Sequence, residues 1–565
     1  MNRAFVREEM AEFMECGFWT VLPWAVAKDL QNLRISPLGV KEERDRKPRL
    51  ICDHTFFGVN ANTVTRTPRE AMQFGGALPR VLDAIRHADP SHGPVYLSKY
   101  DIKDGFYRVF LNAADAPALA VTLPHYDGET PLVAIPLSLT MGWTESPPTF
   151  CAITETIADL ANARAYKHHV APHRLEHHST PLDQWNQGSP CDMPRPSEAP
   201  TLPSAGTPHS VQAIDQPTSS PAPLHPAHPR MPPSLPAPPL QASNTPRSAP
   251  LNDTDIFVDD FLGLGQGSRR KLRNMCRNIL HAIDLVLDRP DSSDKRRNEA
   301  ASIKKLLKGD GSWNTRKLIL GWILVTVLVT IQLPPHRHLR LQEIFDDLRG
   351  KNRISLRKWQ KYLGELRFMS IGIPGSAGLF GALQLGITES KPHRVRITSF
   401  IRDHLDDFER LALDLLSWPT RLAEFLPEEP SALQAVDAAK AGMGGVIFVH
   451  GHRPIVWRAP FPPEIQARIV STSNPKGDLT NSDFEQAALV AGADVATHAY
   501  DLRELTLANL TDNTPALARK HKGAVTAALA AAYMCRMSSL HQRHYRYCEE
   551  NSHIHGPSRE KFHYR

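Results

Sequence analysis

Two apolar runs, Asp255-Ile256-Phe257-Val258 and Phe261-Leu262-Gly263-Leu264, flank the adjacent carboxylates Asp259 and Asp260. Apolar β-formers on either side of a two-residue polar break predict a tight hairpin. Upstream, PVYLSKYDI (residues 94–102) reads as a strand closed by Asp101, with Phe106 five residues further on. The stretch from Pro136 to Phe150 reads as a turn around Met141-Gly142-Trp143, followed by a helix-like pattern. The apolar run from Leu318 to Leu333 is 16 residues long, short of the ~20 needed to span a bilayer. Its Val, Ile and Thr content, with Gln332 inside it, predicts two buried strands instead. Residues 338–388 carry helical periodicity. From about 432 the pattern changes to strand, glycines, strand (Gln434 to Phe448), then a helix opened by Thr480-Asn481-Ser482-Asp483-Phe484-Glu485, then Thr511 to Pro515.

One segment has no such pattern. Residues 171–250 hold 20 of the 48 prolines, and proline supplies no backbone donor for helix or sheet. With Ser, Ala, Thr and His between the prolines, the segment buries too little apolar surface to offset chain entropy, which predicts a disordered or polyproline-type insertion. A histidine cluster at its start (His168, His169, His173, His177, His178) lacks a cysteine or acidic co-ligand at a known spacing, so composition alone makes no metal site there.

Length predicts two to four domains, and 41% hydrophobic residues suffice for real cores. A net charge of +6 permits a polyanionic partner without demanding one. Seven scattered cysteines without a CxxC argue for a reducing compartment and against a disulfide framework. Charges at the N-terminus, where a secretion signal needs an apolar core, predict an intracellular protein of the cytoplasm or nucleus, with no membrane partner.

Two adjacent anions in an apolar hairpin carry a cost unless a cation sits beside them. Oxygen-only ligands suit Mg²⁺; a solvated Asp-Asp turn is the alternative. The surrounding motifs weigh on that choice. Asp101-x-x-Asp104-Gly105-Phe106-Tyr107, then Gly142-Trp143-x-x-Ser146-Pro147-x-x-Phe150, then Phe257-Val258-Asp259-Asp260, resemble in order three palm motifs of retroelement reverse transcriptases. Asp101 and Asp259 are 158 positions apart, and setting the insertion aside leaves the spacing that the resemblance implies for one compact palm. The proline-rich segment then reads as an excursion from within a domain.

The resemblance implies an α+β right-hand polymerase of fingers, palm and thumb, followed by an RNase H-like α/β domain. The expected layout is an N-terminal segment and fingers over 1–97, a palm over 98–335 with the insertion at about 171–250, thumb or connection helices over 336–430, an RNase H-like domain over 431–550 and a tail over 551–565. Asp101, Asp259 and Asp260 would be catalytic and hold Mg²⁺ or Mn²⁺. Arg49, on a basic hairpin from Ser36 to Asp53, would hold the triphosphate with Asp104, Gly105, Phe106, Tyr107, Met141 and Gly142. Phe106 would exclude a 2′-hydroxyl and so select deoxynucleotides. Trp143, Phe257, Gly321 and Trp322 would meet primer or template, and Lys304, Lys305 and Lys308 either face the nucleic-acid backbone or form a solvated helix face.

The order Asp437, Glu485, Asp512 resembles the acidic set of RNase H, with TNSDFE its most specific piece; these three would hold two further metal ions. The implied partners are an RNA template, a DNA primer, the RNA–DNA hybrid and dNTPs. Several positions depart from the pattern. A fourth carboxylate is expected near the end, where only Glu560 stands, and Ala439, Arg519, Met141 and Val325 replace the residues common there. Such departures suit a truncated or decaying copy. A protease Asp-Ser/Thr-Gly motif, an integrase zinc pair and a zinc knuckle are all lacking, as in the middle of a polyprotein of gypsy-like or DIRS-like LTR retrotransposons.

Overall fold

The acidic hairpin forms, but its turn is shifted by one residue. In the computed structural model, which describes residues 3–43, 46–165, 169–179, 249–291, 293–294, 297–388, 393–472, 474–522 and 529–554, strands Asn252–Phe257 and Asp260–Gly265 are joined by Val258 and Asp259. Val258 takes φ +58, a left-handed conformation that costs a β-branched residue most. Asp260 therefore lies in the strand, opposite Phe257, while Asp259 sits at the tip. The strand Tyr96–Asp101 completes a three-stranded antiparallel sheet, with Asp101 opposite Asp260.

Side chains alternate across a sheet, and both faces of this one are covered. Tyr100, Ile256 and Phe261 pack with Ile157, Ile279 and Ile283 of the helices Ser146–Ala163 and Arg269–Val286. Leu97, Leu262 and Leu264 face the other way, into a core shared with Val81 and Leu82 of the helix Ala77–Arg86. Covering on both sides explains why the strand reads as a nearly unbroken apolar run.

The strand Trp19–Pro23 pairs with Leu132–Pro136, so residues on either side of position 97 build one sheet. The basic stretch forms a hairpin, Leu38–Glu43 with Arg46–Cys52. The apolar run at 318–333 makes three short strands rather than two buried ones: Arg316–Ile319, Trp322–Val325 and Thr330–Gln332. A turn after Val325 leaves Val327 and Leu328 exposed. No helix among the described residues is long and apolar enough to cross a membrane, and the six described cysteines are free thiols.

Residues 180–248 of the proline-rich segment lie outside the described residues, but 171–179, expected to be disordered, are folded. Glu176 accepts both arms of Arg277 (2.6 and 2.8 Å), and Arg174 bridges Asp284 and Glu299. Bidentate charged pairs with the helix Arg269–Val286 fasten the segment, and Leu175 adds apolar burial in the same core.

Helices Pro335–Leu348, Leu356–Ser370, Phe380–Thr388 and Ser399–Ser417 pack about Trp359, Leu366 and Phe408. A five-stranded sheet follows, in the order Ile455–Pro460, Gly442–Val449, Ala432–Ala439, Thr506–Thr511, Cys548–His553. Its first three strands are antiparallel and the last two are added in parallel. The helix Asn481–Ala499 lies against this sheet, capped by Thr480, whose side chain and backbone both donate to Asp483 at 2.7 Å.

Candidate functional site

Strand register brings Asp101, Asp259 and Asp260 together: a carboxylate oxygen from each lies within 4.8 Å of the others. The hairpin is pinned to the neighbouring strand end, because Ile102 N–H donates to the Asp259 carbonyl (3.1 Å). Burial pushes the Asp101 carboxyl up to about 7, against the pull of Lys305 and with the push of Asp259 and Asp260. Burial and then Asp260 raise Asp259 in the same direction. Asp260 Oδ1 is buried without a hydrogen-bond partner. Three crowded carboxylates, two of them with raised titration and one with a buried oxygen that no hydrogen bond reaches, fit a divalent cation with oxygen ligands.

Lys305, expected to face either the nucleic-acid backbone or solvent, reaches this cluster. Its ammonium lies on Asp101 and 3.8 Å from Asp260, while Lys99 lies 3.7 Å from Asp260. The helix Ile303–Leu307 is held there by Ser302 N–H donating to the Asp101 carbonyl (2.8 Å). Three lysines in a short basic run gave no sign of which one turns inward. The backbone contacts of Ala300, Ala301 and Ser302 with Asp101, Ile102 and Lys103 decide it.

The predicted pocket residues divide. Asp104 takes the left-handed conformation (φ +57) that starts the turn Gly105–Arg108. Phe106 is half-buried, edge to face with Phe150 at 5.1 Å, and a side chain on Gly105 would strike that same ring. Tyr107 instead points into the apolar core, packed against Phe13 and Phe18. Within that turn Tyr107 is carried to the side facing the core, where it packs. Arg49 is exposed on the basic hairpin opposite Lys41.

Gly142 sits at φ +113 with its α-carbon against the Cys52 carbonyl, where a Cβ would fall on the oxygen. Met141 accepts a hydrogen bond from Cys52 N–H (3.2 Å), and Trp143 donates through Nε1 to Thr63 (3.0 Å). Phe257 is half-buried against Phe74. Gly321 (φ +82) turns the hairpin between Ile319 and Trp322. Trp322 is fully buried, against Phe368 and Gly372. Its ring cannot meet a primer and is a core residue; only the turn at Gly321 is presented outward.

The second acidic set also converges: Asp437, Glu485 and Asp512 each offer an oxygen within 4.8 Å of the others. Asp437 comes from the central strand, Asp512 from the end of the neighbouring parallel strand, and Glu485 from the first turns of the helix across them. Glu485 is 2% exposed, accepts from Ala438 N–H (3.3 Å) through Oε1, and leaves Oε2 buried without a partner. Burial and then Asp437 push its carboxyl up to about 7. This set fits a cation on the same grounds. Arg519, noted in sequence only as a departure, donates to Asp483 (2.7 Å) and so holds the helix start that carries Glu485. Glu560 lies outside the described residues.

A third group, His173, His281 and Asp284, has the spacing of a metal site, yet its donors are engaged. Asp284 accepts from His173 (3.0 Å) and from both arms of Arg174, and His281 donates to the Ala171 carbonyl (3.0 Å). It is an ion-pair node that fastens residues 171–179.

No protein-family model and no curated protein matches the chain. Similar solved structures include the foamy viral protease-reverse transcriptase dRH in complex with double-stranded DNA, 11% identical, covering 98% of this chain and 69% of that one, with a TM-score of 0.44. The foamy viral protease-reverse transcriptase in complex with RNA/DNA hybrid is 11% identical over 98% of this chain and 54% of that one, also at 0.44. Its complex with double-stranded DNA is 11% identical over 99% and 84%, at 0.42.

Proposed function

We propose that the chain is an RNA-directed DNA polymerase of a retroelement, with an RNase H-like second site. One observation carries this: three aspartates from motifs 158 residues apart meet at the end of one sheet, with the flanking Asp104–Phe106 and Met141–Trp143 turns. Asp101 and Asp259 would hold the metal ions and Asp260 would support them. Mg²⁺ or Mn²⁺ bound there supplies charge neutralisation for in-line phosphoryl transfer.

The protein's own residues then do the positioning. Asp101 and Asp259 would hold the cation through carboxylate oxygens whose titration burial raises. Lys305 rests its ammonium on Asp101, the charge with which a bound cation would compete. Phe106, braced by Phe150, would stand against the incoming sugar and favour dNTPs over NTPs by excluding a 2′-hydroxyl. Gly142, pressed on Cys52, keeps the turn flat enough for a base to approach. Arg49 supplies guanidinium geometry for phosphate oxygens.

Primer extension on an RNA template with dNTPs and Mg²⁺ tests the reading. Wild type is expected to extend and Asp259→Asn to fall by at least ~10³-fold, since the site's electrostatics dominate such chemistry; equal rates for the two would overturn it. In the second site Asp437, Glu485 and Asp512 would cut the RNA strand of a hybrid, read by loss of labelled RNA. The contact of Lys305 on Asp101 favours one alternative, a decayed relative that binds template–primer without turnover. It predicts hybrid binding with no extension by either protein.

A further inference from the structure

The loop between Cys52 and Asn60 carries an aromatic pair that neither acidic cluster uses. Phe56 and Phe57 are 66% and 63% exposed, with their rings edge to face at 4.7 Å. Leaving such side chains in water forgoes the burial that an apolar ring favours, yet the loop that displays them is tightly built. Asp53 accepts from the N–H groups of Thr55 and Phe56 (3.2 Å each), and Gly58 at φ +72 donates to the Thr55 carbonyl (3.0 Å). His54 is buried between Ser36 and Thr140, at 3.1 Å from each.

Both ends of the loop grip the Met141–Gly142–Trp143 turn. Cys52 donates to the Met141 carbonyl (3.2 Å), Asn60 Nδ2 donates to the Gly142 carbonyl (3.0 Å), and Asn60 Oδ1 accepts from Thr144 N–H (3.0 Å). The rings are thus held in fixed relation to the turn. Exposed Arg49 precedes them, and exposed Arg66 and Arg69 follow. Exposed aromatic rings on a pinned loop, preceded and followed along the chain by exposed arginines, suit a polyanion with planar bases, because every base has a π-face and the backbone is drawn to the charge.

We propose that Phe56 and Phe57 are a stacking platform for unpaired bases of the template strand on its way to the Gly142–Trp143 turn, an inference that rests on the polymerase reading of the three aspartates. Stacking is indifferent to sequence, as copying an arbitrary template requires.

The test is equilibrium binding of the full chain, in EDTA and without dNTPs, to a primer–template carrying 2-aminopurine in a single-stranded 5′ template overhang, alongside a blunt duplex. Wild type should quench the overhang probe. Phe56→Ala and Phe57→Ala should each weaken overhang binding about tenfold and leave the blunt duplex within about twofold. Replacement of both by Trp should retain binding, while replacement of both by Leu, which keeps apolar area without a ring, should match Ala. Equal losses on both duplexes, no loss, or full retention by Leu would overturn the platform; the last result points instead to an apolar protein-docking patch. Because no chemistry is involved, the two readings fail separately. A protein that grips the overhang but never extends a primer loses only the polymerase reading. One that extends while the double Ala variant still grips the overhang loses only the platform.

Discussion

Asp101 ties the chemistry of the site to the stability of the protein. Its carboxyl titrates near 7 when folded against an ordinary 3.8, so between those values the folded state holds a proton that the unfolded state releases. Metal-free protein therefore loses stability as pH rises from about 4 to 7, and the loss is complete above 7. Asp101→Asn mimics the protonated acid; in EDTA it should raise stability at pH 8 by about 1–3 kcal/mol and leave it unchanged near pH 4, measured by urea unfolding. A drop at pH 8 would mean that the Lys305 pair outweighs burial. Glu485 shifts in the same direction and adds to the slope. At this scale the acidic residues were legible, because a carboxylate in an apolar run has few reasons to be there. Tyr107, Trp322 and Lys305 were not legible. Whether a ring or an ammonium turns inward depends on neighbours such as Phe13, Phe18, Gly372 and Ser302, all distant in sequence.

Elements were read well where one period dominates and poorly where the chain reverses. The hairpin around Asp259 was evident from its flanking β-formers, yet its turn was misplaced by one residue, since nothing in the composition of Val258 announces φ +58. The 318–333 run was recognised as strand, but its second reversal has no Gly or Pro and passed unseen. Residues 171–179 were lost among the prolines because their order comes from Arg277 and Asp284 on a helix a hundred residues later. The close seat of Gly142 on Cys52 joins the basic hairpin to the start of the helix Ser146–Ala163. Gly142→Ala puts a methyl on a backbone oxygen at a φ that alanine resists, and should cost about 3 kcal/mol or more by thermal unfolding, with loss of primer extension.

Across the described residues, one core runs from Leu78 through the sheet to Leu422, and a buried arginine on the helix Leu529–Tyr545 fastens that helix to it. Arg543 donates to Asp414 (2.6 Å), Thr420 and Glu424 (3.1 Å each) and the Trp418 carbonyl (2.6 Å), with its side chain 2% exposed and that of Glu424 fully buried. Arg543→Ala strands the Glu424 charge and should cost about 3–5 kcal/mol, read as early release of the 431–554 portion in limited proteolysis. The register that sets Asp101 opposite Asp260 has a consequence for how the chain comes to be folded at all. Pairing those strands closes a loop of 158 residues where about half would suffice. Closure entropy grows only with the logarithm of loop length, so the doubling costs about 0.6 kcal/mol. An unfolded chain carrying the long proline-rich excursion finds its own two strands nearly as readily as one without it. A site assembled across a gap of that kind can accept large insertions during evolution at almost no thermodynamic penalty, provided their ends are held, as Arg174 and Glu176 hold one end here.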